Sequence, residues 1–121
     1  MPIERIQTGP RMSQVVIHNG TVYLAGQVAS GKPGASVAAQ AQDILGRIDG
    51  LLAAAGTDKT RLLTATIWLV DMASFPEMNG VWEAWVARGA TPARATVVSP
   101  QLASPDYKIE IAVTAATAAT A

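Results

Sequence analysis

The chain has 121 residues and a mass of 12.5 kDa, a length that supports one hydrophobic core and excludes a second domain. Half of it is apolar and only 15% is charged, below the ~25% of an average soluble domain, so part of its exterior is expected to be covered by further copies of the same chain. Nine basic and nine acidic side chains cancel without forming a basic stripe for a phosphate backbone; zero cysteines and a single histidine, His18, exclude disulfides, thiolate catalysis and an imidazole cluster for a metal within one chain.

The N-terminus, Met1 to Arg5, has no signal-peptide pattern, and no apolar run approaches the ~18 residues of a bilayer span. The expectation is a cytoplasmic protein that binds neither membrane nor nucleic acid. From Val15 to Gln27, β-forming residues flank Asn19-Gly20, the pair that best supplies the two positive φ angles of a type I′ turn, which predicts a hairpin. His18 falls beside that turn and reads as a turn-flanking residue. Residues 29–35 collect Gly, Pro, Ser and Lys and read as a loop. Ser36 then caps a helix whose Val37, Ala41, Ile44, Leu45, Ile48, Leu51, Leu52 and Ala55 recur at helical spacing, with Gln40, Asp43, Arg47 and Asp49 on other faces and Gly56 as the stop.

Residues 62–70, LLTATIWLV, suit a central strand buried on both faces. Ser74 and Glu77 have the spacing of a capping box, and Met78, Val81, Trp82, Trp85 and Val86 continue a second helix to Gly89. Its Met78, Trp82 and Trp85 read as packing residues. Two alternating strands follow, over 93–99 and 107–115, and in the last Tyr107, Ile109, Ile111 and Val113 oppose Lys108, Glu110, Ala112 and Thr114. The order β-β-α-β-α-β-β predicts an α+β domain spanning residues 1–121, with both helices on one face of a mixed sheet. Nothing in the chain remains to cover the other face, where Thr64, Thr66 and Trp68 fall together, so self-association is expected. Residues 115–121 are expected to fray.

Two polar residues occupy strand positions where polarity is costly. Arg94 offers a planar fork of donors suited to a carboxylate, and Glu110, between two isoleucines, can position a water and exchange a proton with it. The simpler alternative is a cross-strand ion pair between them. No phosphate-binding glycine motif opens either helix.

Ala25-Gly26-Gln27, then Phe75, Asn79 and Trp82-Glu83-Ala84-Trp85, then Pro92-Ala93-Arg94-Ala95-Thr96-Val97, and finally Lys108-Ile109-Glu110-Ile111 occur in the order found in the Rid family of reactive intermediate deaminases, also called YjgF-like or L-PSP proteins, which the chain resembles from about Pro10 to Ala115. The resemblance implies a chorismate-mutase-like fold, a homotrimer whose sheets form a central barrel, and ligand sites between neighbouring subunits. It implies that Arg94 holds a substrate carboxylate, that Glu110 positions the hydrolytic water, and that Thr96 (through its backbone) and Asn79 border the ligand. No cofactor or metal is implied. Where many members carry a tyrosine, a serine and a second glutamate, this chain has Met12, Ala25 and Ala112; Arg11 is a further candidate anion contact. The expected activity is hydrolysis of small 2-imino acids, such as those derived from 2-aminoacrylate, to 2-keto acids and ammonia. The alternative is a non-catalytic trimer that binds a small carboxylate as a sensor or regulator. Ribonuclease activity finds neither a basic groove nor a histidine pair.

Overall fold

The hairpin forms where its turn residues require it. In the computed structural model, which describes residues 2–118, Asn19 and Gly20 take φ values of 50° and 79° between strands β2 (Ser13–His18) and β3 (Thr21–Leu24). These are the two left-handed positions of a type I′ turn. Strand β1 (Glu4–Thr8) pairs antiparallel with β2, and it corrects the predicted element order by one strand at the N-terminal end. Four of its five residues are exposed, so it has no apolar alternation to reveal it. A strand with sheet on one side only is held by backbone bonds to its single neighbour.

The hairpin's second arm also differs from expectation. It breaks at Ala25-Gly26 and resumes as β4 (Gln27–Val28), which pairs with the last strand, β7 (Ile109–Ala116). Between the pairs Tyr23↔Thr114 and Gln27↔Ile111, the β3–β4 arm carries one residue more than β7. Such a bulge bends the strand and re-aims neighbouring side chains.

Helix α1 (Val37–Ala54) starts as predicted, with the Ser36 hydroxyl accepting from Ala39 N at 3.1 Å, and Gly56 follows its end at φ 76°. Gln40, read as a residue of a polar face, is instead fully buried. Its amide donates to Ala35 O at 3.1 Å and Asp106 O at 2.8 Å, and its carbonyl accepts from Lys108 N at 2.8 Å. One polar side chain thus ties α1 to the segment that leads into β7. A hydrophobicity pattern cannot distinguish a residue buried with all its hydrogen bonds made from one in water.

Strand β5 (Leu62–Leu69) lies between β7, antiparallel, and β6 (Ala93–Val98), parallel. The path across the sheet is β1-β2-β3-β7-β5-β6, with β4 beside β7. Helix α2 (Phe75–Trp85) connects the parallel pair. Its predicted capping box does not form: Ser74 makes no capping bond. Glu77 Oε2 accepts instead from Ala38 N at 2.7 Å, at the start of α1, where a carboxylate meets unpaired helix N–H groups. The helix also stops at Trp85, before the predicted Gly89. Val86 is extended, and Lys59 donates to Trp85 O at 2.6 Å, occupying a carbonyl that another turn would have needed.

Both helices cover one face of the sheet. Ile109, Ile111, Val113 and Ala115 of β7 and Leu62, Ala65, Ile67 and Leu69 of β5 join the apolar stripes of α1 and of α2, including Met78 and Trp82, in one buried cluster. Their neighbours in sequence, Thr64, Thr66, Trp68, Glu110, Ala112 and Thr114, line the uncovered face, where Thr64 and Thr114 share a hydrogen bond of 2.6 Å. Strand β7 runs two residues into the stretch expected to fray, since Ala115 is fully buried and Ala116 pairs with Thr21; positions 119–121 lie outside the described residues.

Candidate functional site

Arg94 is the second residue of β6, in register with buried Ala65 of β5, which puts its side chain on the helix-covered face at the sheet's edge. There it meets α2. The guanidinium carbon lies 5.7 Å from the ring centre of Phe75 and 5.5 Å from that of Trp82, both within cation–π range. No acid pairs with it: among the described residues the one ion pair is Arg47 with Asp43, and Arg94 makes no side-chain hydrogen bond. A half-buried guanidinium with five N–H donors and no acceptor among the described residues can take an anion from outside. Asn79 stands on α2 one turn after Phe75 and one before Trp82, half-buried. Thr96 projects from β6 on the same face as Arg94, and its Oγ1 is out of solvent with no hydrogen-bond partner.

Glu110 belongs to the other face. It pairs with Val28 on one side and Trp68 on the other, and partial burial raises its pKa above the usual carboxylate value because the charged form loses hydration. Its carboxylate rests against the backbone at Gly26. A Cβ at that position would fall 2.2 Å from Glu110 Oε2, so only glycine lets the bulged strand and the carboxylate approach this closely. Gly26 is also part of the wall of a groove of about 640 Å³, with Gln7, Met12, Gln14 and Arg47 among its other residues.

Arg94 and Glu110 are therefore not brought together within one protomer. Strand β5 separates β6 from β7, which rules out the cross-strand ion pair considered above. Two strand spacings and an offset of three residues put their backbones ~14 Å apart, with side chains on opposite faces. Arg94, Thr96 and Asn79 stand on the helix side of the sheet, and Glu110 with Gly26 on the other, as two candidate half-sites. Arg11 joins neither directly: it is exposed between β1 and β2, beside a recess of about 380 Å³ that it shares with Gln7, Met12 and Gln14. Trp82, read from the sequence as packing, is buried as expected and in addition supports Arg94. Nothing in helical spacing signals that second role, because it depends on a strand that arrives later in the chain.

A model of the family "Endoribonuclease L-PSP" matches residues 3–117. A "RutC family protein" of Haemophilus ducreyi is 44% identical over 114 residues, covering 94% of this chain and 96% of the relative. A "2-iminobutanoate/2-iminopropanoate deaminase" of Bos taurus is 38% identical over 89 residues, covering 69% of this chain and 64% of that protein. Among solved structures, a member of the YjgF protein family from Neisseria meningitidis superposes with a TM-score of 0.92 at 45% identity, covering 99% of this chain and 98% of the other.

Proposed function

The chain belongs to the L-PSP family, to which YjgF and RutC proteins are related, and from that premise we propose that it hydrolyses small 2-imino acids to 2-keto acids and ammonia. The observation that carries this reading is the acid-free guanidinium of Arg94 laid across Phe75 and Trp82. Among the described residues no acid pairs with this arginine, which is held against two rings. The name of the Bos taurus relative supports the choice of substrate class.

Because the half-sites lie on opposite faces of one sheet, a site that uses both needs two copies of the chain. The proposed assembly is a trimer that packs the uncovered faces inward as a barrel and brings Arg94 of one copy beside Glu110 of the next. The uncovered face has the composition for it: Thr64, Thr66, Trp68, Ala93, Ala95, Val97 and Ala112 surround a single acid, Glu110. Arg94, with Asn79 and Thr96 beside it, holds the carboxylate by two parallel hydrogen bonds and orients the imine carbon. Glu110 takes a proton from water as the oxygen adds to that carbon. It returns that proton to the nitrogen to give a carbinolamine, then takes the proton of the new hydroxyl as the C=O forms and passes it to the nitrogen as the C–N bond breaks, so that ammonia leaves and the keto acid remains. A raised pKa suits a group that must accept a proton and give it back near neutral pH, an effect typically worth about 10²- to 10⁴-fold.

A second reading is favoured by a specific observation. The relatives at 41–44% identity carry only a RutC family name, and Met12, Ala25 and Ala112 remove polar groups from around the Glu110 half-site. A trimer that binds a small carboxylate without turning it over, as a sensor or regulator, uses the same Arg94. The deciding assay generates imino acids in situ with an amino-acid oxidase and follows their loss with wild type and Glu110→Gln. Hydrolysis by wild type that disappears in Glu110→Gln, with 2-ketobutyrate binding retained, supports the enzyme; wild-type binding without turnover supports the sensor.

A further inference from the structure

Helices α1 and α2 lie side by side and run the same way: Glu77 Oε2 accepts from Ala38 N at their starts, and Trp85 Nε1 donates to Asp49 Oδ2 at 3.0 Å near their ends. On the side away from the sheet, the seam between them opens as a groove of about 550 Å³, with Leu45, Gly46, Gly80, Val81 and Ala84 along it and Lys59 and Asp49 at the Trp85 end. That volume is in the usual range of small-molecule sites, about 300 to 1,000 Å³. Glycine inside a helix is less favourable than alanine. Yet neither Gly46 nor Gly80 has a positive φ, and among the described residues neither has a neighbour that a Cβ would strike. Packing within the protomer requires neither glycine, and their missing side chains leave the groove open. Lys59 and Asp49 carry opposite charges and are both fixed to Trp85, the lysine Nζ lying 5.2 Å from its ring centre and donating to its carbonyl at 2.6 Å. They do not pair with each other, since the one ion pair among the described residues is Arg47 with Asp43. Two of the three Nζ donors and one carboxylate oxygen of Asp49 are left for a ligand.

We propose that the groove between α1 and α2 is a second ligand site, which takes a free α-amino acid with an aliphatic side chain. Such a molecule bears a carboxylate and an ammonium group on one carbon, so it can accept from Lys59 Nζ and donate to Asp49 Oδ1 at the same time. Hydrogen bonds between charged groups are the stronger kind. The aliphatic side chain then lies along Leu45, Val81 and Ala84, where burial of apolar surface adds to affinity, and the glycine backbones let it approach closely. A carboxylate alone would face Asp49 and an amine alone would face Lys59, so the arrangement favours the zwitterion over an ion of either sign. Arg94, Asn79 and Thr96 are not part of the groove. The proposed barrel packs the opposite face of the sheet, so the trimer leaves the groove open.

The test measures binding of L-leucine and L-valine by calorimetry on the full-length protein, with melting temperature as the check on folding. Asp49→Asn and Lys59→Met are each expected to bind L-leucine about tenfold more weakly or worse, the loss of one hydrogen bond to a charged group. Gly80→Leu, which fills the groove, should not bind it. Arg94→Ala should stay within about threefold of wild type, a change well under the worth of one such bond. In the Arg94→Ala protein, 3-methylbutylamine and 4-methylvalerate, which lack the carboxylate and the amine of leucine, should each bind at least about tenfold more weakly than leucine. Absence of binding by both amino acids in wild type overturns the proposal. So does loss of binding in folded Arg94→Ala, because the amino acid then occupies the carboxylate site instead. Wild-type affinity in Gly80→Leu overturns it too, as does either fragment matching leucine, since one charge then suffices. Should Gly80→Leu not fold, Ala84→Leu is read in the same way; should Arg94→Ala not fold, wild type saturated with 2-ketobutyrate takes its place.

Discussion

Gly26→Ala is the most discriminating perturbation of the Glu110 half-site, because its consequence can be worked from distances. The new Cβ would stand 2.2 Å from Glu110 Oε2, 3.1 Å from its Cδ and 3.4 Å from its Cγ. The first value is about 1 Å inside ordinary contact, whereas the last is tolerable. Gly26 is not among the positive-φ glycines, so alanine fits the backbone, and the clash is with the far end of a flexible side chain. The fold is therefore expected to survive while the carboxylate swings away by about 1 Å or more. A displacement of that size can cost about 10²-fold in rate, without touching Arg94. The expected result is kcat for imino-acid hydrolysis lowered by about two orders of magnitude, a melting temperature near that of wild type, and unchanged 2-ketobutyrate affinity. Wild-type turnover in a folded Gly26→Ala protein would refute the claim that the placement of Glu110 governs the chemistry.

The other predictions concern the second half-site, the pH response and the frame that holds them. Arg94→Ala should weaken 2-ketobutyrate binding by about 2 to 5 kcal/mol, the usual loss on removing one member of a desolvated charge pair, and Arg94→Lys should recover only part of it because a lysine cannot bind both oxygens in parallel; calorimetry checks both. For Glu110 the raised pKa means that the folded state holds its proton more tightly than the unfolded chain does. Stability from this group is full below the ordinary value of 4.5 and is lost as pH rises through the raised one. Glu110→Gln should accordingly melt higher than wild type at neutral pH, and the difference should shrink towards zero below that ordinary value. Gln40→Leu should lower stability by about 2 to 4 kcal/mol in denaturant titration, since Lys108 N and Ala35 O lose partners inside the fold. Light scattering should give three times the chain mass for wild type, and Trp68→Glu, which adds charge to the uncovered sheet face, should release smaller species.

What could be read in the chain is what neighbours in sequence decide. Asn19-Gly20 makes its turn wherever it stands, Ser36 caps α1 through a bond three residues long, and the alternation from Ile109 to Ala115 sends isoleucine and valine to one face and Glu110 to the other without reference to any other strand. The order of motifs was likewise legible, and with it the family. Four features depended on partners far along the chain: strand β1, which has little apolar character of its own; the burial of Gln40, which needs Asp106 and Lys108; the failure of Ser74 to cap α2 while Glu77 caps α1; and the place of β5 between β6 and β7. The last has the largest consequence. Period-two alternation assigns a residue to one of two faces of its own strand, but only pairing and direction across the sheet decide which of those faces is shared. Through that pairing the sheet carries Arg94 to the helix side and Glu110 to the open side, so the two candidate residues cannot meet within one protomer.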